Sequence, residues 1–305
     1  MQKKEQLSRK LKRGQFDVLV YLESVKDDKK VTQRVLAESL NRSIGTINST
    51  LQELGKLGLV EKNSITMAGI HALESFRVKR AIFLAAGFGE RLIPITLNTP
   101  KPLVRVRGTR MIDTLLDAVT AAGIEDIIIV RGYLSEQFDQ LLYKYPNIRF
   151  VENPIYMESN NISSLMCVRY QLQNAYIFDA DLFLNKPGLI TKYQYASNYV
   201  GIPVSVTDDW VFESKNGIIT DVRTGGYNCH LMIGISYWSQ EDGRCLAEHV
   251  NQVYNRPGGK ELFWDQVAIN FYPKNYRLEI RECSHEDVIE IDTYNELKKY
   301  DKTYM

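Results

Sequence analysis

Leu84-Ala-Ala-Gly87-Phe-Gly89-Glu-Arg91-Leu92-Ile-Pro94-Ile-Thr96 decides how this chain folds. An apolar run at 81–85 flows into two glycines one residue apart, and a cation follows at Arg91. Doubly wound α/β sheets bind ligands where a buried strand ends in such a turn, at the carboxyl ends of the strands. Glycine lets backbone N–H groups approach phosphate oxygens with no Cβ in the way. A dinucleotide site is disfavoured, because G-x-G-x-x-G is absent and no acidic residue ends the second strand.

The same alternation continues outward. Apolar runs at 127–130, 148–151 and 176–178 are separated by amphipathic segments at 111–122, 135–143 and 162–172. Repeated strand and helix units of this kind predict an α/β domain over residues 79–305 with a mainly parallel, doubly wound sheet. The strand at 176–178 runs into Asp179-Ala-Asp181. A carboxylate at a strand end beside a bound phosphate would be a natural ligand for Mg²⁺, which prefers carboxylate and phosphate oxygens, so Asp181 is the expected metal ligand and Asp179 its neighbour. Asp265 is favoured as the second ligand over Asp292, which suits the N-cap of a last helix at 294–300.

Gly87 to Thr96, with Thr99-Pro100-Lys101-Pro102-Leu103-Val104 and Gly108 behind it, resembles the signature of the nucleoside-triphosphate transferase superfamily. That resemblance implies that Leu84, Ala85, Ala86, Gly87, Phe88, Gly89 and Glu90 hold base and triphosphate. It gives Arg91 the leaving phosphates, Lys101 the α-phosphate and the incoming phosphate, and Asp181 the Mg²⁺. Further segments, Tyr156-Met-Glu-Ser-Asn160-Asn161-Ile-Ser163, Asp209-Trp210 and Phe263-Trp264-Asp265, resemble the bacterial CTP:phosphocholine cytidylyltransferases over about 225 residues. This implies transfer of CMP from CTP to phosphocholine, giving CDP-choline and pyrophosphate for decoration of a bacterial envelope. Asn160, Asn161 and Ser163 then belong to the nucleotide site, and Asp209, Trp210, Phe263 and Trp264 to the choline site. A trimethylammonium group donates no conventional hydrogen bond and is held by aromatic faces worth roughly 0.5–2 kcal/mol each. The alternatives are a sugar-phosphate nucleotidylyltransferase and a DNA-binding regulator that only senses the nucleotide.

Residues 1–78 read differently. Val18, Leu19, Leu22 and Val25 recur at helical spacing until residues 27–30 interrupt them; Thr32 caps a short helix, and Ile44, Ile47, Leu51 and Leu54 stripe a third. Two short strands around a polar turn and a segment with Gly69 and Leu73 complete an order that resembles a MarR-like winged helix-turn-helix, a small α+β domain. In that reading Arg42, Thr46 and Ser49 face DNA, or the module pairs subunits into a homodimer. Residues 1–80 carry 16 Lys+Arg against 9 Asp+Glu, which suits a polyanionic partner.

With 44% hydrophobic and 25% charged residues the chain has a soluble globular composition. No apolar run approaches the roughly 20 residues of a membrane span, so the expectation is a cytoplasmic protein without membrane insertion. Cys167, Cys229, Cys245 and Cys283 lack metal or disulfide spacing, and His71, His230, His249 and His285 lack any triad spacing.

Overall fold

The computed structural model describes residues 11–26 and 31–305. The chain forms two compact units, Met1–Arg77 and Val78–Met305.

In the first unit the helices are α1 (Arg13–Ser24), α2 (Gln33–Ser39) and α3 (Ile44–Lys56). The break expected at residues 27–30 lies outside the described residues. Thr32 and Ser43 each cap the helix that follows, accepting the N–H groups of Val35 and Thr46. Leu19, Leu22, Leu36, Ile47 and Leu54 are nearly or wholly buried, so the helical stripes point inward as their spacing requires. Strands β1 (Val60–Glu61) and β2 (Ser64–Ile65) pair antiparallel, followed by α4 (Met67–Leu73).

The second unit is built on β3 (Arg80–Ala85), whose run of buried residues reflects cover on both faces. Its parallel neighbours are β6 (Asp126–Arg131) and β8 (Ala175–Asp179), and β7 (Ile148–Glu152) pairs parallel with β6. Two further short strands, β4 (Arg105–Val106) and β5 (Thr109–Arg110), form a small hairpin ahead of α5 (Met111–Ala121). On one face of the sheet Phe83, Ile127, Ile129 and Phe178 pack with Leu115, Leu116 and Val119 of α5. On the other, Ile82, Ile128 and Ile177 pack with α6 (Ile162–Cys167) and α7 (Gln240–Tyr254) through Leu165, Leu246 and Val250. Each such buried aliphatic side chain contributes on the order of 1.5–3 kcal/mol.

Helix formation is weaker than the amphipathic pattern suggests at two places. Residues Ser135–Tyr143 wind as a 3₁₀ helix, and α6 gives way to a 3₁₀ turn at Arg169–Gln171. The sheet is extended on its other side by two strands that no sequence pattern announced. β10 (Asn198–Lys215) and β11 (Ile218–Trp238) form a long antiparallel hairpin, and β11 pairs antiparallel with β8. The hairpin folds back on itself: Val211 stands opposite both Arg223 and Leu231, and Phe212 opposite both Val222 and His230. Its register breaks between Thr207 and Trp210, which turns Trp210 toward the partly buried side. β12 (Glu279–Glu282) joins β10 in parallel. A separate ladder pairs β9 (Leu182–Leu184) with β13 (Val288–Glu290), setting Glu290 opposite Leu182. The chain closes with α8 (Tyr294–Tyr300).

Candidate active site

Because β3 and β8 are parallel neighbours with Leu84 opposite Asp179, the glycine turn after β3 and the carboxylates after β8 leave the sheet at the same edge. Here a cavity of about 610 Å³ opens, its lining including Gly87, Gly89, Trp210 and Phe263. Thr96 Oγ1 donates to the Gly89 carbonyl at 2.9 Å, and the Tyr133 hydroxyl donates to the Thr96 carbonyl at 2.8 Å, so the loop is pinned from both sides. Gly89 has φ +73°, and a Cβ there would lie 3.0 Å from Lys101 Cβ. Only glycine satisfies both conditions without strain.

The carboxylate end is held by the β9–β13 ladder. Asp181, Glu290 and Asp292 each offer an oxygen within 4.8 Å of the others. Lys101 Nζ bonds Asp181 Oδ2 at 2.9 Å and Asp292 Oδ1 at 2.7 Å, and Arg91 reaches the same Asp292 oxygen at 2.8 Å. Burial works against the Lys101 ammonium, yet Asp181 and Asp292 outweigh it, and the lysine is held firmly protonated. Burial, reinforced by Asp181 and Asp292, pushes the Glu290 carboxyl well above the ordinary range. Asp179 is raised likewise, by burial first and then by Asp265 and Asp181. A Cβ on Gly234 of β11 would come 2.3 Å from Asp179 Oδ2, so bare backbone makes room for that carboxylate. Three oxygen donors of hard character, grouped at cation spacing, fit a divalent metal such as Mg²⁺.

At the other end Trp210 and Phe263 meet edge to face, ring centroids 5.3 Å apart, with Phe263 partly exposed. Asp209 is exposed and accepts the Trp210 N–H at 2.7 Å. Asp265 also lines the cavity, 3% exposed, with Oδ1 making no hydrogen bond. Burial pushes its carboxyl up to about 7, with the Tyr199 hydroxyl acting in the opposite direction. The asparagines bridge the wall: Asn160 Nδ2 donates to the Glu261 carbonyl at 3.3 Å, and Asn161 Oδ1 accepts the Trp264 N–H at 3.0 Å. Buried Asn153 fixes the next turn by donating to Ser163 and Ser164.

This geometry has counterparts in known proteins. Residues 80–191 match the sequence profile of the nucleotidyl transferase family. The chain is 38% identical over 229 residues to the 2-aminoethylphosphonate cytidylyltransferase of Lancefieldella rimae, covering 74% of this chain and 93% of that one. The chain belongs to the nucleotidyl transferase family. The transferase is also 32% identical over 231 residues to the choline-phosphate cytidylyltransferase of Streptococcus pneumoniae, covering 73% and 97% of the two chains. Among solved structures it resembles the CTP:phosphocholine cytidylyltransferase of the same organism, at TM-score 0.69 and 31% identity, over 75% of this chain and all of that one. The transferase is therefore an enzyme, and both relatives just described are cytidylyltransferases.

Most residues singled out in the sequence line the cavity: Leu84, Ala85, Ala86, Gly87, Gly89, Arg91, Lys101, Asn160, Asn161, Ser163, Asp181, Asp209, Trp210, Phe263 and Asp265. Three do not. Phe88 turns aside to pack edge-on against Tyr133, its centroid 4.5 Å away, and Glu90 is exposed at the start of a 3₁₀ turn. Trp264, expected beside choline, is instead a core residue 2% exposed, stacked on Tyr199 and edge-on to Trp238. Asp292 is not the cap of the last helix either. Thr293 takes that place, accepting from Glu296, and Asp292 is free to meet Lys101 and Arg91. Asp292 rather than Asp265 thus joins Asp181 in the metal-spaced cluster, while Asp265 lies near Asp179. Glu290 was missed, although Glu290 and Asp292 alternate as residues sharing one face of an extended segment do.

Proposed function

We propose that the transferase moves CMP from CTP to a small alkylamine bearing a phosphonate or phosphate, with release of pyrophosphate. The observation that carries this reading is a single cavity with two unlike sets of lining residues: Arg91, Lys101 and three clustered carboxylates beside the glycine loop, and two aromatic rings with the buried carboxyl of Asp265. The acceptor oxygen attacks the α-phosphorus of CTP, a new P–O bond forms, and the bond to the β-phosphate oxygen breaks. The protein's part is positioning and charge neutralisation. Arg91 and Lys101 hold the phosphates, and the pinned backbone of Gly87 and Gly89 holds the rest of the nucleotide. Asp181, Glu290 and Asp292 would hold Mg²⁺, which supplies charge neutralisation and in-line alignment at the α-phosphate.

The carboxyl group of Asp265, which lines the cavity, favours a primary ammonium, as in 2-aminoethylphosphonate, over the trimethylammonium of phosphocholine. An ammonium N–H can donate to a carboxylate oxygen, whereas a methyl group cannot. The more similar of the relatives described above acts on that phosphonate, which supports the same choice. Pyrophosphate release with CTP and Mg²⁺ is expected to be faster with 2-aminoethylphosphonate than with phosphocholine, and absent with glucose 1-phosphate. A preference for glucose 1-phosphate would remove the reading.

For the first unit we propose a winged-helix module that binds DNA. One polar stripe of α3, Gly45, Asn48, Ser49, Gln52 and Lys56, is exposed and carries no carboxylate. Thr46 is less suited than its sequence position suggested, as its hydroxyl is engaged by Ser43. Retention on duplex DNA that weakens steeply with salt is expected; retention unchanged by replacing Asn48, Ser49 and Gln52 with alanine would count against this stripe.

A further inference from the structure

Lys101 stands where the clustered carboxylates most need a cation. Its Nζ lies at ion-pair distance from Asp181 and Asp292, which are two of the three residues at metal spacing. The residue is 8% exposed, and its stem passes beneath the glycine loop, close enough that a Cβ on Gly89 would meet Lys101 Cβ at 3.0 Å. Two features follow from this placement. An ammonium and a divalent ion sharing the same carboxylate oxygens repel each other strongly in a partly desolvated site. The long flexible stem, anchored under the loop, can carry the ammonium from the carboxylates toward a phosphate on that loop by rotation about its own terminal torsions.

We infer that Lys101 is the resident counter-ion of this cluster in the nucleotide-free protein, opposing the divalent metal until a triphosphate draws its ammonium away. Metal and nucleotide then assist one another: each phosphate contact made by Lys101 vacates oxygens that the metal takes. Linkage makes the coupling reciprocal, so the metal tightens nucleotide binding by the same factor. Lys101 is thereby a positioning residue for the metal as well as a phosphate ligand. This rests on reading the cavity as the nucleotide site.

Calorimetric titration of Mn²⁺ into the nucleotide-free full chain tests it. Lys101→Met is expected to bind Mn²⁺ roughly tenfold or more tightly than the native protein, and Lys101→Arg, which keeps the charge, to remain near native. Equal or weaker binding by Lys101→Met, or tightening by Lys101→Arg to the same degree, overturns the inference. A second measurement needs only the native chain: Mn²⁺ affinity is expected to rise when the α,β-methylene analogue of CTP is present, and an unchanged affinity overturns it. Turnover of CTP without such coupling would sink the Lys101 switch and leave the transferase reading intact. Loss of all turnover would sink the latter, while the nucleotide-free titration still decides the former.

Discussion

The two ends of the cavity are organised on opposite principles. At the phosphate end cations bridge the carboxylates: Lys101 joins Asp181 and Asp292, and Arg91 shares the same Asp292 oxygen, while Asp181 Oδ1 makes no hydrogen bond. At the acceptor end two rings lean on each other, Asp209 is spent on the Trp210 backbone, and Asp265 Oδ1 has no hydrogen bond. On the proposed function the first end takes the polyanion and a metal, and the second takes an acceptor with N–H donors. Reactivity would then reside in the first end, and selectivity in the second.

Substitutions should separate these roles. Asp181→Asn is expected to cause the largest loss, about 10³-fold or more in kcat/KM, because it removes a charge that acts on the reacting phosphate. The effect should fall on kcat, measured by pyrophosphate release at saturating substrates. Gly234→Val comes next: its added Cβ meets Asp179 at 2.3 Å, so both activity and stability should fall, the latter by about 1–3 kcal/mol in thermal or urea unfolding. Trp210→Ala should raise the acceptor KM by roughly 2–30-fold, the equivalent of one aromatic face, with kcat nearly kept. A change confined to kcat would instead place Trp210 at the reacting end.

Asp265 gives the mildest and most diagnostic effect. Its folded-state pKa of about 7 lies above its ordinary 3.8. The stabilising contribution of its neutral form is thus full below about pH 4 and is lost as pH rises through about 7. Native protein should lose stability relative to Asp265→Asn over that interval. Acceptor binding should move the other way: an ammonium prefers the ionised carboxylate, so the acceptor KM should fall as pH rises through about 7, and Asp265→Asn should flatten that profile.

The ends also differ in how far the sequence disclosed them. The strand residues Ala81 to Ala85 and the glycine turn are local features that periodicity and glycine chemistry locate, whereas Lys101 is located only through the family resemblance. The cap Thr32 and the last helix at Tyr294–Tyr300 are equally local, but the cap Ser43 reads in the sequence only as part of a turn. Glu290 enters the site through a ladder joining residues about a hundred positions apart, which local pattern does not encode. The hairpin of β10 and β11 was equally hidden, since its bent strands show no clean alternation of buried and exposed residues. Trp264 was misplaced for a related reason. Of the neighbouring Phe263 and Trp264, the latter packs on Tyr199 and Trp238, which lie far off in sequence, and composition is silent on which ring turns inward.

The contrast between a reactive end and a selective end is tested most directly by acceptor competition: native protein with CTP, Mg²⁺ and equal 2-aminoethylphosphonate and phosphocholine, followed by product analysis, in parallel with Asp265→Asn. The native enzyme is expected to form mainly the cytidylylated aminoethylphosphonate, and Asp265→Asn to narrow that preference while still turning over. Equal use of both acceptors by the native protein, or a preference untouched by Asp265→Asn, would contradict the assignment of selectivity to that carboxylate.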